Sequence, residues 1–240
     1  MPQPKLEVRV LHSHSERVAA GAVAARALRD DPLFVYLHGD DPLARMAGAY
    51  GAFREPVRTP EGGQGLRRLL RSTRAAVDVR PAPAVWGAVL DGDVIGTAAA
   101  AAPGTCFVEM LPVDVRTKPA GAEGAPGSPD RLSRVMYELC TNHSTERHWH
   151  VGPVGVEPGL QGRGVGAKVM RLLCDAMDRE GEIAFLETEK PENVVFYRRL
   201  GFEVTSESDL TGLHTWFMRR EPQRKSVSYT HLTLPTNREV

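Results

Sequence analysis

The stretch that decides the fold is VGPVGVEPGLQGRGVG, residues Val151 to Gly166 of a 240-residue chain. Its valine-rich first half predicts a buried strand, and the glycine-rich second half predicts a tight turn that opens a helix. Glycines let the backbone approach a ligand and turn successive N–H groups toward it. The helix N-terminus and the guanidinium of Arg163 add positive charge. This stretch therefore predicts a site for a phosphate or pyrophosphate.

Spacing narrows the choice of ligand at this turn. A Walker-type ATP loop requires G-x-x-x-x-G-K-[ST], which the sequence lacks. A dinucleotide fingerprint requires G-x-G-x-x-G near the start of a parallel domain, whereas the run from Gly162 to Gly166 is G-x-G-x-G and stands late in the chain. Both readings are disfavoured. A glycine turn that serves only helix packing stays open as the alternative.

The segments around the turn predict a β-α-β unit. Residues His148 to Val156 have the composition of a strand, Gly164 to Arg179 carry an apolar stripe with helical spacing, and Ile183 to Leu186 form a short apolar strand. Strands joined in this way are parallel, with a right-handed crossover.

A second motif lies downstream. Asn193-Val194-Val195-Phe196-Tyr197, followed by Arg199-Leu200-Gly201-Phe202, resembles the N-x-x-F-Y-x-x-x-G-F segment of the GNAT superfamily of N-acetyltransferases. The glycine turn resembles that family's acetyl-CoA motif, Q/R-x-x-G-x-G/A, through Gln161, Gly164 and Gly166. The two motifs occur in the family's order and at its usual separation. The resemblance covers roughly residues 148–219.

The resemblance implies transfer of an acetyl group from acetyl-CoA to a primary amine, by direct attack of the amine on the thioester. It implies that the main chain of Val154 and Val156 holds the acetyl-pantetheine arm and that Asn193 contacts the CoA arm. The pyrophosphate would bind to the amides of the turn and first helical residues: Gln161, Gly162, Arg163, Gly164, Val165, Gly166 and Ala167. Acetyl-CoA is the only cofactor expected, and it is a cosubstrate.

Tyr197 is the candidate general acid, because a phenol stays protonated at neutral pH and can protonate a departing thiolate. The alternative is a core tyrosine packed beside Phe196. Glu187 is the candidate general base, although the neighbouring residues Glu157, Glu189 and His150 are also expected near the cleft. A chain of water molecules in place of a side-chain base would not contradict the family.

The remaining sequence predicts an α/β domain with one mixed sheet of about seven mostly antiparallel strands and at least four flanking helices. The Asp91-Gly92 pair predicts a two-residue hairpin loop. The acceptor site is expected to be built by residues Asp31 to Phe53 and by the loose loop from Pro112 to Pro129. Further strands are predicted at Leu6–Val10, Ala84–Leu90, Val94–Ala100, Phe202–Thr205 and Leu213–Met218, and helices after Ser15, after Asp41-Pro42, around Leu66–Val77 and after Ser128-Pro129.

Charge and cysteine content limit the function classes. Lys plus Arg and Asp plus Glu both number 30, which argues against a nucleic-acid or membrane partner and disfavours a highly basic or acidic protein target. The resemblance implies a small-molecule or peptide amine as the acceptor. Cys106, Cys140 and Cys174 are scattered, which argues for buried reduced thiols and against a disulfide framework or zinc site. His148 and His150 could share a metal, but with no third ligand in view they are interpreted as edge-strand histidines, and no metal is expected.

The chain lacks a signal-peptide core and long apolar runs, so a cytoplasmic protein is expected. We expect it to be a monomer or a homodimer. Val227 to Thr236, VSYTHLTLPT, resembles the read-through translation of a sequencing-library adapter. We therefore expect a single acyltransferase domain over residues 1–225 and a non-native disordered tail over 226–240. The alternative functions are a non-catalytic acyl-CoA-binding module of the same fold, and acylation of another acceptor or from a longer acyl-CoA.

Overall fold

One seven-stranded sheet forms the centre of the protein. In a computed structural model of the chain, which describes residues 4–51, 83–106, 108, 119, 124–209 and 212–223, the strands lie in the order β1-β2-β3-β4-β5-β7-β6. Their bounds are β1 Leu6–Val10, β2 Ala84–Leu90, β3 Asp93–Ala101, β4 His148–Val156, β5 Ile183–Thr188, β6 Glu203–Ser208 and β7 Thr215–Arg220. The mixed sheet of about seven strands is thereby confirmed.

The helices in the described residues are α1 His14–Ala27, α2 Pro32–His38, α3 Pro42–Gly51, α4 Pro129–Asn142, α5 Val165–Glu180 and α6 Pro191–Arg198, with a 3-10 turn at Pro158–Leu160. Asp41 and Ser128 precede helices as predicted, but the prediction of Ser15 as the cap of α1 was wrong. Ser13 caps that helix, because Glu16 stands three residues later and closes a capping box. Asp31 followed by Pro32 starts α2 by the same chemistry that Asp41-Pro42 uses.

Strand pairing follows the sequence patterns closely. The β2–β3 hairpin turns at Asp91 and Gly92, which both have positive φ, at 52° and 99°. The parallel pair is β4–β5, with α5 as the crossover, so the β-α-β prediction is confirmed. All other pairs in the sheet are antiparallel.

The two faces of the sheet bury different layers. One face carries the main core, in which Trp149 and Val151 of β4 pack with Met170 and Leu173 of α5. On the opposite face α1 covers β2 and β3, and a separate cluster around Phe185 and Phe217 lies under α2 and α4. Because neighbouring residues of a strand point to opposite faces, His148 and His150 share the second face, away from α5.

Three predictions fall on other parts of the chain. The helix around Leu66–Val77, most of the Pro112–Pro129 loop and the 226–240 tail lie outside the described residues.

Of the helices in the described ranges, none combines the length and apolar character that crossing a membrane requires.

A buried ion pair fastens the last strand to α5. Arg220, which is 3% exposed, directs two guanidinium nitrogens at the carboxylate of Asp178, at 2.6 and 2.9 Å. Its Nε donates to the carbonyl of Leu200, ahead of β6, and Asp178 also accepts from the amide of Gln223. This network joins α5, β7 and the chain entering β6.

We predict that Asp178→Ala lowers the free energy of unfolding by about 3–5 kcal/mol, because it leaves the guanidinium of Arg220 buried without its counter-charge. Urea titration followed by circular dichroism measures the loss. Lys5→Ala is the control, since the Lys5–Glu7 pair is exposed, and it should leave stability unchanged. A loss below about 1 kcal/mol in Asp178→Ala would contradict the assigned role.

Candidate active site

The strands β4 and β5 pair over only three positions, from His148–Ile183 to His150–Phe185. One residue further along β4, the register against β3 shifts, because Val151 faces Ala100 while Val154 faces Ala98. The extra residue makes a β-bulge at Gly152-Pro153, a position where a proline without an N–H is tolerated. Beyond His150, the side of β4 that faces away from β3 has no strand partner among the described residues.

The glycine turn follows directly. Gly162 and Gly164 have φ of 73° and 78°, a backbone conformation that L side chains rarely adopt. Gly164 caps α5, and the first intrahelical bond runs from the amide of Lys168 to the Gly164 carbonyl. The amides of the preceding helical residues therefore have no carbonyl within the helix to bind. The side chain of Gln161 donates to the carbonyl of Val156 at 3.1 Å and ties the turn to β4.

The residues predicted to bind the donor lie on this continuous path. On the strand, Val154 and Val156 are half-buried. The turn residues Gln161, Gly162, Arg163 and Gly164 are exposed, Val165 is buried under the sheet, and Gly166 and Ala167 are half-buried on the first turn of α5. A side chain at Gly166 would approach Val156 to 3.3 Å, so the glycine permits close packing of α5 on β4.

Helix α6 places the second motif on the α5 side of the sheet. Asn193 donates from its side chain to the hydroxyl of Thr188 at 3.0 Å, at the end of β5. Tyr197 is 8% exposed and packs edge-on against Phe196 and Phe202. Burial raises the pKa of Tyr197 well above its ordinary value, and the carboxylates of Asp31, Glu187 and Glu189 raise it further. The phenol is therefore protonated at neutral pH.

Acidic groups gather where β5 ends. Asp31 is 6% exposed, caps α2 and lies 3.2 Å from the ammonium of Lys190. Burial, followed by the charges of Asp31, Glu187 and Glu138, raises the pKa of Glu189 to about 8. A carboxyl with this pKa gains and loses a proton near neutral pH, which suits a general acid or base.

Glu187 is in a different electrostatic state. Its Oε2 lies 2.9 Å from Nε2 of His150, and the pair is almost enclosed. Burial alone would raise the pKa of Glu187, but the charge and hydrogen bond of His150 lower it below the ordinary value. Glu157 is also engaged, because the guanidinium of Arg26 binds it with contacts of 2.9 to 3.1 Å.

A second group of polar side chains surrounds His150. Sγ of Cys106 lies 2.8 Å from Nδ1 of His150, and the rings of His143 and His148 are within 5.2 and 6.3 Å of the His150 ring. Burial alone would raise the pKa of Cys106, but the three imidazoles stabilise the thiolate and lower the pKa to about 4. By contrast, burial raises the pKa of Cys174 to about 11.

This cluster corrects two interpretations of the sequence. His148 and His150 do not lie on an edge strand, since β4 is flanked by β3 and β5. Cys106 is not an isolated thiol: the chain leaves β3 beside the start of β4, where Ala101 faces His150. His143, at the end of α4, completes the cluster. Spacing carries no signal for this arrangement, because the four residues come from three separate segments.

Comparison with known proteins agrees with the fold and the two motifs. The model of the acetyltransferase (GNAT) family matches residues 50–202. A histone acetyltransferase HPA2-related acetyltransferase from Corynebacterium glutamicum is 20% identical with a TM-score of 0.53, over 92% of this chain and 99% of that one. An agmatine N-acetyltransferase is 17% identical with a TM-score of 0.53, over 90% and 99% of the two chains.

A GNAT-family protein from Desulfovibrio desulfuricans, described as a putative acetyltransferase, is 14% identical with a TM-score of 0.50, over 91% of this chain and 100% of that one. At these identities the likeness concerns the fold. The family model spans more than half of the sequence and includes β4, the glycine turn and α6. The chain belongs to the acetyltransferase (GNAT) family and is an acyltransferase.

Proposed function

We propose that this enzyme transfers an acetyl group from acetyl-CoA to a primary amine, by direct attack of the amine on the thioester. The observation that carries the proposal is the gap beside β4. The main chain of β4 loses its pairing with β5 after His150. The seven residues from Gln161 to Ala167, which form the glycine turn and the start of α5, follow β4 in the sequence.

The donor would bind along this path. Beyond His150 the main chain at Val154 and Val156 has no β5 partner, and the carbonyl of Val156 already accepts from Gln161. The outward-facing main-chain groups of this stretch are suited to the amide groups of the pantetheine arm, which would extend the sheet as a strand does. The amides of the turn and the N-terminus of α5 are suited to the pyrophosphate, with Arg163 at the exposed rim. Asn193, held by Thr188, is placed to contact the CoA arm from α6.

The acceptor would enter where Asp31, Glu138, Glu187 and Glu189 lie together. Several carboxyl groups close to one another favour a cation. An amine is protonated in neutral water, so this region would attract it in the ammonium form, and a base must then remove a proton before attack. We therefore propose a cationic amine as the acceptor.

Tyr197 is the proposed acid. Its hydroxyl stays protonated at neutral pH. The rings of Phe196 and Phe202 contact the tyrosine ring and hold the side chain in one position. It would protonate the CoA thiolate as the tetrahedral intermediate collapses.

Glu189 is the better base on electrostatic grounds, while Glu187 stays a prediction that the same experiment tests. A carboxylate with a lowered pKa binds a proton weakly, which describes Glu187 beside His150. Glu189, with a pKa of about 8, binds a proton from an ammonium more readily. The hydroxyl of Thr215 lies 3.5 Å from Oε1 of Glu189 and helps to orient it.

The first prediction concerns the donor. Saturating acetyl-CoA should raise the melting temperature of the parent protein, because it binds only the folded state. Gly164→Glu should abolish the shift, since it adds negative charge and strains a backbone with φ of 78°. Gly51→Glu, with no atoms within 4 Å of the added Cβ, is the control that should keep the shift. No shift in the parent protein would refute the donor assignment.

The second prediction concerns Tyr197. In a thiol-release assay across a panel of amines, Tyr197→Phe should lower kcat about 10²- to 10⁴-fold, because the leaving thiolate loses its proton donor. The acetyl-CoA thermal shift should be retained. Tyr137→Phe on α4 removes the same hydroxyl from a different site and should leave kcat unchanged. Equal turnover in Tyr197→Phe at every pH tested would remove the acid role, and release with no amine would favour the non-catalytic acyl-CoA-binding alternative.

The third prediction concerns pH. For one amine, kcat/KM should rise with an apparent pKa of about 8, because Glu189 is protonated and inactive below this value and becomes a base above it. Glu189→Gln should lower kcat/KM and remove this part of the profile. Glu203→Gln on β6 should preserve it. Loss of this dependence in Glu187→Gln, with Glu189→Gln unaffected, would assign the base to Glu187.

A further inference from the structure

Four possible metal ligands converge on the α4 side of β4. Cys106 follows β3, His143 follows α4, and His148 and His150 lie on β4. One ligand atom from each side chain can be chosen so that all four lie within 4.8 Å of one another. Four ligands of one tetrahedral zinc ion, at the usual Zn–S and Zn–N bond lengths, are about 3.3–3.6 Å apart. Modest side-chain rotations would therefore bring the four atoms around one ion.

The outer contacts of two imidazoles leave one particular nitrogen for the ion. Nδ1 of His148 lies 2.6 Å from the carbonyl oxygen of Glu146, and because a carbonyl only accepts, Nδ1 carries the proton there. Nε2 of His150 lies 2.9 Å from the carboxylate of Glu187 and donates to it. Coordination would thus use Nε2 of His148 and Nδ1 of His150. Carbonyl and carboxylate partners of this kind orient the histidines of metal sites.

Burial gives an independent reason to expect a ligand. Cys106 and His148 are fully buried and His150 is 6% exposed. Nε2 of His143 is enclosed and has no hydrogen-bond partner within the described residues. The ring of Phe185 contacts all three imidazoles and closes one wall. Buried polar atoms are nearly always paired, so such an enclosed nitrogen beside a thiol requires an explanation.

We propose that Cys106, His143, His148 and His150 form a tetrahedral Zn²⁺ site, with Glu187 as an outer partner that holds His150. Sulfur and imidazole ligands select zinc over Mg²⁺ and Ca²⁺, which prefer oxygen. Four protein ligands fill the coordination sphere, so the ion has no open position for substrate and acts structurally. It joins the end of β3, the end of α4 and the start of β4.

The site would also affect the acceptor region. Glu187 bonds to His150 and lies among the carboxyl groups where β5 ends. Fixing His150 fixes the carboxylate of Glu187, and with it one wall of that region. The proposal itself rests on metal-binding geometry, so it stands or falls separately from the acetyl-transfer assignment.

The test uses the full chain purified without a histidine tag and stripped of metal. We expect one equivalent of Zn²⁺ to bind, measured by competition with a chromophoric chelator, and the melting temperature to rise. Co²⁺ should give the intense visible absorption of a tetrahedral site together with a thiolate-to-cobalt charge-transfer band. Weak absorption typical of six-coordinate Co²⁺, or no binding by the parent protein, would overturn the proposal.

Three variants locate the site. Cys106→Ser should remove the charge-transfer band, and Glu187→Gln should weaken Zn²⁺ binding about 10- to 100-fold while the band persists. His214→Ala is the control, because His214 is partly exposed in the β6–β7 connection and bonded to Asp209 and Glu207, and this variant should bind Zn²⁺ as the parent does. A loss of Zn²⁺ affinity in His214→Ala as large as the loss in Glu187→Gln would place the ion at the surface and refute the assignment.

One further outcome would overturn the proposal. Cys106, His150 and Glu187 are also linked in a row, as in a nucleophilic triad. Incubation with acetyl-CoA followed by intact-mass analysis and peptide mapping detects an acetyl group on the Cys106 sulfur. A thioester there, formed with release of CoA by a protein that binds no zinc, would assign the cluster to acyl transfer.

If Cys106→Ser fails to fold, the cobalt spectrum of the parent protein and the Zn²⁺ affinity of Glu187→Gln still decide whether the site binds zinc.

Discussion

The arrangement of the site depends on one limit of β-sheet pairing: main-chain groups of a central strand need partners on both sides, and β4 keeps its partner β5 only as far as His150. The bulge at Gly152-Pro153 begins two residues later. From there to Val156 the strand is paired on the β3 side, and its opposite edge is open among the described residues. The open edge, the glycine turn and the N-terminus of α5 are consecutive in sequence, so one local irregularity aligns the elements proposed to hold acetyl-CoA.

The electrostatics of the proposed acceptor region depend on two carboxyl groups that are separated by a single residue in the sequence. Glu187 lies 2.9 Å from an imidazole nitrogen of His150, which favours the carboxylate. Burial favours the protonated form of Glu189 at neutral pH, and the neighbouring carboxyl groups favour it further. The difference underlies the roles proposed for them: Glu187 as the partner that holds His150, and Glu189 as the group that exchanges a proton with an amine. Burial keeps Tyr197 as the neutral phenol, and the same negative charges favour that form further.

Local patterns accounted for most of the fold. The Asp91-Gly92 loop, the strand–turn–helix around Gly164 and the Asp41-Pro42 helix start all depend on residues within a few positions of one another, so their chemistry is readable from the chain alone. The error at the first helix was equally local: Ser13 with Glu16 outcompetes Ser15 because the capping box satisfies two amide groups at once. The bulge in β4 was not foreseen, since it is defined by pairing against β3.

The sequence by itself determined the family, through two motifs whose residues are close together in the chain, and it identified the residues proposed to bind the donor. Only the tertiary structure decided the surroundings of the carboxyl groups at the end of β5 and of the histidines. It placed Cys106 and His143 beside His150, and it separated the electrostatic states of Glu187 and Glu189. The physical reason is that a pKa or a ligand set depends on distances across strands and helices, which residue spacing does not encode.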